Sequence, residues 1–374
     1  MIYKLIQPKY IIIIILTIIF NINLLAQSNQ YSEEDENFYK SAKDYIVQNI
    51  NKDSVSVKVT DNKTGTINYP CISVDDFKYS ENQKYLIDGS LPYASTHIKP
   101  LEASIIGGVY IGVLYAQHVG QMNTIWKQQT KFRFVEDGEY ALYADKPGHF
   151  FGCYFTSYLW SETLMLAGFS WETSTIIGSA LGFAYSSYVE ILDGFGANWG
   201  FSPTDELFNF IGAGYFLAQH YIPVLQNFSP KFMYIPANWH GEHKRAEAQM
   251  FIDDYSSHTM WLSVNVHNLL PESMKEYWPS WMELSFGYAA RNLGDSLYAP
   301  KFYYNGYFGF GSPRFIISLD YNLVKLLPKD GAVWNWLRQS LNFFKFPSPA
   351  IEFGEVTKFY LMYPFPIKIG NVRF

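Results

Sequence analysis

The spacing of the hydrophobic residues changes once along this chain, and that change constrains the fold more than any other feature. Between residues 100 and 222 apolar residues run in long stretches of helical length. The first, residues 101–117, is nearly uncharged and rich in small residues such as Gly107, Gly108 and Gly112. Three more follow at about 147–167, 171–193 and 204–220. All are apolar nearly all round, which means burial in a core or against lipid. Gly178, Ala180, Gly182 and Ala184 in the third run let backbones approach closely. Their length and the presence of Glu162, Glu172 and Glu190 favour buried or peripheral helices over inner-membrane spans.

From about residue 231 the period becomes two. Met260-Trp261-Leu262-Ser263-Val264-Asn265-Val266-His267 alternates, as does Trp281-Met282-Glu283-Leu284-Ser285-Phe286-Gly287-Tyr288. Residues 302–310, 315–323, 359–362 and 367–374 complete the set, and residues 334–344 read as a short amphipathic helix between strands. Such strands, joined by Pro-, Gly- and Asn-rich turns, pair antiparallel. The fold class is therefore α+β: an apolar bundle of about four helices, then an antiparallel, aromatic-rich sheet. Two forms of the sheet remain open. One is a sandwich or curved sheet packed on the helices; the other is a partial or complete outer-membrane barrel. Aromatic residues make up 19% of the chain, in keeping with membrane-interface girdles. The terminal Arg373-Phe374 after an alternating strand points the same way. About six strands are visible, and the smallest single-chain barrels use about eight, so the rest would come from residues 55–99 or 131–143.

Residues 1–26 read as a cleaved signal peptide, with Lys4 and Lys9 ahead of an apolar run at 11–20 that is too short for a membrane span. Residues 27–99 form a polar arm and an irregular segment, 100–225 the helical domain, and 226–374 the β region. Of the two cysteines, Cys153 lies in an apolar helical run where a free buried thiol is common, and Cys71 lies in an irregular segment. A net charge of −6 offers no basic patch for nucleic acid.

One polar constellation invites a chemical reading. Asp145-Lys146-Pro147-Gly148-His149 opens the second run, Glu190-x-x-Asp193 closes the third, and Ser202-Pro203-Thr204-Asp205-x-x-x-Asn209 opens the fourth. Antiparallel neighbours bring these three ends together. Asp145 suits an N-cap, and Ser202 begins a capping-box-like start. Glu190 and Asp193 instead place negative charge at a helix C-terminus, where the dipole disfavours it. The cluster therefore reads either as caps with a buried polar network or as a ligand, metal or lipid-headgroup site. As a metal site its ligands would be His149, Glu190, Asp193 and Asp205. As a catalytic site His149 would be the general base. No nucleophile motif, dinucleotide fingerprint or phosphate loop occurs. Trp239-His240-Gly241-Glu242-His243 lacks zinc-protease spacing and reads as a solvated loop.

These residues carry a resemblance. The order Asp145-Lys146-x-x-His149, Glu190-x-x-Asp193-Gly194, then Ser202-x-x-Asp205-x-x-x-Asn209-x-x-Gly212 resembles the YfiM-like family of predicted periplasmic lipoproteins, a domain of unknown function. It is similar, more distantly, to the VanZ-like membrane family. The β-rich tail resembles long versions of the first family from Bacteroidetes-type bacteria. The resemblance implies an envelope location and no established activity. No cysteine lies near the leader's cut, so a lipid anchor does not carry over. The sequence thus describes a non-enzymatic outer-membrane-associated component whose partners are outer-membrane lipid or an envelope assembly, without nucleic acid or nucleotide. No cofactor is expected; a divalent metal is left open. The alternative is an envelope enzyme or a metal or headgroup binder using the His149 cluster.

Overall fold

A computed structural model describes residues 58–61, 65–68, 78–239, 254–293, 301–304, 307–369 and 372–373. The leader, the acidic arm, Cys71 and the histidines at 240 and 243 lie outside the described residues.

Four long helices occupy the apolar runs: α1 (Pro100–Asn123), α2 (Asp145–Leu166), α3 (Trp171–Asp193) and α4 (Pro203–Tyr221). Local chemistry fixes two of the starts. Ser170 Oγ accepts from the Thr173 amide at 3.2 Å, and Ser202 Oγ accepts from the Asp205 amide at 3.1 Å, with Pro203 in the first turn. The start of α2 departs from expectation. Ala144 holds the N-cap position without a side-chain cap, and Asp145 lies inside the first turn. Its carboxylate faces Lys146, His149 and Tyr255 instead, because charge-assisted bonds to buried partners are stronger than one bond to a backbone amide.

Helices α2, α3 and α4 pack on one another. Small residues allow this. A Cβ on Gly178 would sit 2.8 Å from both the Ser157 carbonyl oxygen and the Ser161 amide nitrogen of α2. Helix α1 departs from the expected four-helix bundle. It leans on the others through Tyr110, stacked on Trp160 with centroids 3.7 Å apart, and through His118, bonded to the Tyr188 hydroxyl. Because it is apolar all round, resting one side leaves the stripe Leu101, Ile105, Val109 and Val113 bare. Helices α1 and α3 are long and apolar enough to cross a membrane.

The β region is an open antiparallel sheet of six strands: β5 (Phe228–Tyr234), β6 (His258–Val264), β7 (Met282–Arg291), β10 (Ser312–Tyr321), β11 (Ala350–Phe353) and β12 (Lys358–Tyr360), in the spatial order β12-β11-β10-β7-β6-β5. Hairpins β1 (Lys58–Asp61)–β2 (Gly65–Asn68), β3 (Lys78–Tyr79)–β4 (Asn82–Gln83), β8 (Lys301–Tyr304)–β9 (Tyr307–Phe310) and β13 (Lys368–Ile369)–β14 (Val372–Arg373) stand apart from it. Two helices of four residues, α5 (Val266–Leu269) and α6 (Leu323–Leu326), follow β6 and β10, and α7 (Ala332–Ser340) fills the expected amphipathic segment. No closed barrel forms among the described residues. The strands sought in 131–143 are absent there, since that segment is held by isolated bridges and a 3-10 turn, and the hairpin of β1 and β2 pairs only with itself.

The sheet is partly inverted relative to a soluble one: its inner face holds a small apolar core of Met233, Trp261, Ala289 and Ile316 beside buried charged and hydroxyl groups. The row Ser263, Ser285, Ser318 crosses β6, β7 and β10 in register on the inner face. On that face Lys231 Nζ lies 2.9 Å from both Glu283 and Asp320 carboxylates, and its side chain has no exposure. The neighbouring row Leu262, Phe286, Ile317, Ile351, Phe359 runs across five strands on the other face. Over part of β5 and β6 that apolar face is covered by α2, where Phe151 and Tyr154 meet Met260 and Phe232. Over the rest of the sheet it is largely bare, with Leu262 41%, Phe315 60% and Phe359 62% exposed, while the turn at residues 141–144 covers it at Ala290.

The contrast between packed and bare helices is testable by equilibrium unfolding. Gly178→Ala forces backbone apart between α2 and α3 and should cost about 1–3 kcal/mol. Gly108→Ala in α1 meets nothing within 4 Å and should gain roughly 0.8–1 kcal/mol of helix propensity. Equal effects at the two positions would contradict this packing.

Candidate functional site at the helix ends

The polar residues at the ends of α2, α3 and α4 meet in one place. His149 is central. Its Nε2 lies 3.4 Å from Asp145 Oδ1 and 3.6 Å from Asp205 Oδ2; its Nδ1 lies 3.4 Å from Glu190 Oε1 and 3.3 Å from Asn209 Oδ1. Beside it the Lys146 ammonium donates to Asp145 Oδ2 at 2.8 Å, to Asp137 Oδ1 at 2.5 Å and to Asp205. Ser202 donates to Asp137 while accepting from the Asp205 amide. Asp145, Lys146, Glu190, Asp205 and Asn209 are all buried.

Asp193 is not part of this set. Its Oδ1 accepts from the indole of Trp126 at 2.5 Å. The residues whose ligand atoms lie within 4.8 Å of one another are Asp145, His149 and Asp205, so Asp145 stands where the sequence reading placed Asp193 and Glu190. Glu190 faces Nδ1, on the other side of the ring from Asp145 and Asp205.

Two members were missed in the sequence. Asp137 comes from the loop before α2, and Tyr255, at the start of the β region, donates its hydroxyl to Asp145. Asp137 sits in the acidic stretch Glu136-Asp137-Gly138-Glu139, which carries no helical spacing to place it. Tyr255 sits in the Asp254-Tyr255 pair that contributes to the family resemblance, but only the fold brings it to α2.

The approach to the site is strained. Ala141, Leu142 and Tyr143 have φ of 50, 56 and 65°, three consecutive non-glycine residues in the left-handed region. Each costs about 1–2 kcal/mol. The turn is held by Ala141 and Ala144 packed on Ala290 and Leu293, and by the Tyr288 hydroxyl donating to the Leu142 carbonyl. Strain of this kind concentrates at functional sites.

Five carboxylates, Asp137, Asp145, Glu190, Asp193 and Asp205, share the region with two cationic side chains, Lys146 and His149. Burial opposes the charge on His149, but Asp145, Asp205 and Glu190 outweigh it and hold the imidazolium well above its ordinary range. Burial also works to raise Asp145, yet the charges of His149 and Lys146 hold it far below the usual carboxylate range. The remaining carboxylates go the other way. Burial pushes Glu190 up to about 8 and Asp193 up to about 7, and burial with the neighbouring Asp145 charge pushes Asp205 up to about 9. The cluster therefore holds its protons on Glu190 and Asp205 near neutral pH.

With this geometry in view the comparisons are informative. Residues 133–219 match the family model described as predicted periplasmic lipoprotein (DUF2279). The site lies within that family's segment. Only Tyr255 among its side chains falls outside the matched residues. No curated protein and no solved structure matches the chain. The family's description is of an exported, envelope-associated protein and carries no activity.

The pH dependence of stability follows with a definite sign. Glu190, Asp193 and Asp205 have folded values above their unfolded values of about 4, so the native state holds more protons than the unfolded state from about pH 4 upward. His149, also raised, contributes stability that is full below about pH 6.5 and is lost as pH rises through its folded value. Asp145 acts oppositely, but only below about pH 4. Unfolding temperature should therefore peak near pH 4–5 and fall steadily toward pH 9. Asp205→Asn should flatten that fall, and a stability maximum at pH 8 or above would contradict the assignment.

Proposed function

We propose that this protein is a non-enzymatic component of the bacterial outer membrane, seated against lipid by the bare apolar face of its sheet. The observation that supports this is the partial inversion of the sheet. A soluble antiparallel sheet turns its apolar face to a core and its polar face to water. Here charged and hydroxyl side chains are enclosed, while Leu262, Phe286, Phe315, Ile317, Phe353 and Phe359 lie outside. Side chains of membrane barrels divide in the same sense, apolar toward lipid and polar toward the lumen. The bare stripe on α1 and exposed Leu207, Phe210 and Ile211 on α4 extend the apolar surface over the helices. Exposed apolar side chains in such number mark a membrane or protein contact rather than a surface kept in water.

Vesicle flotation tests the reading. The purified full chain should float with phosphatidylethanolamine–phosphatidylglycerol vesicles and resist carbonate washing. The triple variant Phe315→Ser, Phe353→Ser, Phe359→Ser removes three rings worth about 1.5–3 kcal/mol each and should lower the bound fraction at least tenfold. A wild-type protein that stays monodisperse without detergent and does not float would overturn it.

A second reading is favoured by the convergence of Asp145, His149 and Asp205: the helix-end cluster holds a divalent cation. The donor set, one imidazole and two carboxylates, suits a hard or borderline ion. Binding would displace the protons now shared among the carboxylates and would therefore strengthen as pH rises. Metal analysis of protein purified without chelator, compared with His149→Ala and Asp205→Asn, decides it. Stoichiometric metal lost in both variants is the expected result; wild type and variants equally free of metal would end this reading.

A further inference from the structure

A second, separate cavity lies between α2, the start of α3, α4, the hairpin of β3 and β4, and α7. The space inside it for water-sized spheres is about 100 Å³, room for several waters or one small ring, and it opens to solvent at its mouth. Its wall has an unusual make-up. Val324 is the one aliphatic side chain on it among the described residues; the apolar surface is otherwise aromatic, led by Tyr158, Trp171 and Phe216. Six of its residues are amides, among them Asn82, Gln226 and Asn342.

Its charges are already neutralised within the protein. Lys84 pairs with Glu162, which also accepts from the Trp336 indole at 2.8 Å, and Glu283 pairs with Lys231 at 2.9 Å. The wall is also pre-organised, since Tyr154 and Tyr79 both donate to Gln219 Oε1, at 2.8 and 2.9 Å. Against this background three polar groups keep spare capacity. Ser161 is only 1% exposed, yet its hydroxyl makes no hydrogen bond among the described residues. The same holds for the ring nitrogens of His220, which burial keeps below its ordinary value and so neutral at pH 7, and for the Asn342 side-chain nitrogen. The Ser161 hydroxyl opens on the cavity, where a ligand or water can meet it.

This wall discriminates among ligand classes. An acyl chain would lie against amides and a hydroxyl that it cannot satisfy. A phosphate or carboxylate would find Lys84 already committed to Glu162. A neutral sugar meets both halves of the lining: its C–H faces rest on aromatic rings, and its hydroxyls reach neutral donors and acceptors. We propose that this cavity binds one ring of a neutral saccharide, any further rings leaving through its mouth. Two sources share that chemistry, an N-acetylated sugar of a glycan strand and a neutral hexose of a surface polysaccharide.

The test uses the full chain in a zwitterionic detergent that contains no sugar, with diacetylchitobiose and maltotriose as separate probes. Saturation-transfer NMR reports ring C–H contact, and calorimetry gives affinity. At least one probe should bind, and which one binds identifies the source. Trp171→Leu should weaken binding roughly tenfold or more, Trp171→Phe should keep most of it, and His149→Ala, at the other site, should leave it unchanged. Ser161→Ala, a milder change, should weaken it about fivefold and serves if Trp171→Leu fails to fold. The proposal is overturned if neither probe binds at millimolar concentration to protein with the normal unfolding temperature, or if binding survives Ser161→Ala and Trp171→Leu undiminished.

Discussion

An ammonium group shut away from water must be surrounded by carboxylates, and two such groups govern how this chain is put together. Lys146 gathers Asp137, Asp145 and Asp205, and so ties a loop to the starts of α2 and α4. Lys231 gathers Glu283 and Asp320 across the inner face of the sheet, and Lys345 approaches Asp320 at 3.5 Å from the chain that follows α7. Removing one partner from such a pair leaves a buried charge uncompensated, at a cost of about 3–5 kcal/mol. Replacing the whole group by hydrocarbon is often tolerated in other proteins. Here the ions do something hydrocarbon would not: they fix which ends of which elements meet. Lys231 and Glu283 are far apart in sequence, and the observed register brings both of them and Asp320 within ion-pair distance.

The Lys231 network also accounts for the polar groups buried on the inner face of the sheet. With its charges turned inward, each strand must present its other face outward, and that face is Leu, Phe and Ile. The helices cover it over part of β5 and β6 only. Their own outer surfaces are apolar too, so the uncovered part of the sheet and the outside of the helices form surfaces of one character. The hydroxyl and charged groups of the inner face are paired, though the Trp261 indole nitrogen there is buried without a partner among the described residues. Ser263, Ser285, Ser318 and Ser348 link hydroxyl to hydroxyl, Asp320 accepts from Ser263, and Lys345 donates to two backbone carbonyls at 3.0 Å. A face this well paired gains little from meeting water.

Much of this was legible in the sequence where the signal is local. The runs that became α2, α3 and α4 are bounded by Ser170, Gly194 and Ser202-Pro203, and the caps form at both serines. Alternation located β6, β7 and β10, and the three-ended spacing of Asp145, His149, Glu190, Asp205 and Asn209 brought those residues to one end of the helices. What was illegible depends on long-range partners. Asp145 looks like a cap until Tyr255, more than a hundred residues on, gives its carboxylate another place to go. Asp137 has no periodicity to reveal it. Asp193 has the spacing of a cluster member, but the Trp126 indole captures it. Which strands join the main sheet was illegible for the same reason, because pairing of β1 with β2, and of β13 with β14, is settled by neighbours and not by alternation. Alternation also does not say which face is buried. The same pattern serves a soluble sheet and an inverted one, and the direction emerges only when Lys231, Glu283 and Asp320 are seen to share a face.

Helix α2 links the two places where chemistry is concentrated. His149 stands at its N-terminal end and Ser161 lies twelve residues on, about 18 Å along the axis at 1.5 Å per residue. Between them the helix shows Phe151 and Tyr154 to the sheet and receives Gly178, Gly182 and Gly212 of its neighbours at close range. A rod packed this tightly along its middle cannot shift one end without moving the other, since interiors at this density transmit displacement and do not absorb it. The left-handed turn at residues 141–143 adds stored strain at the His149 end. Toward its other end the same helix supplies Tyr154, Tyr158, Ser161 and Glu162 to the cavity wall. The cluster and the cavity lie at separate places along one rigid element, α2.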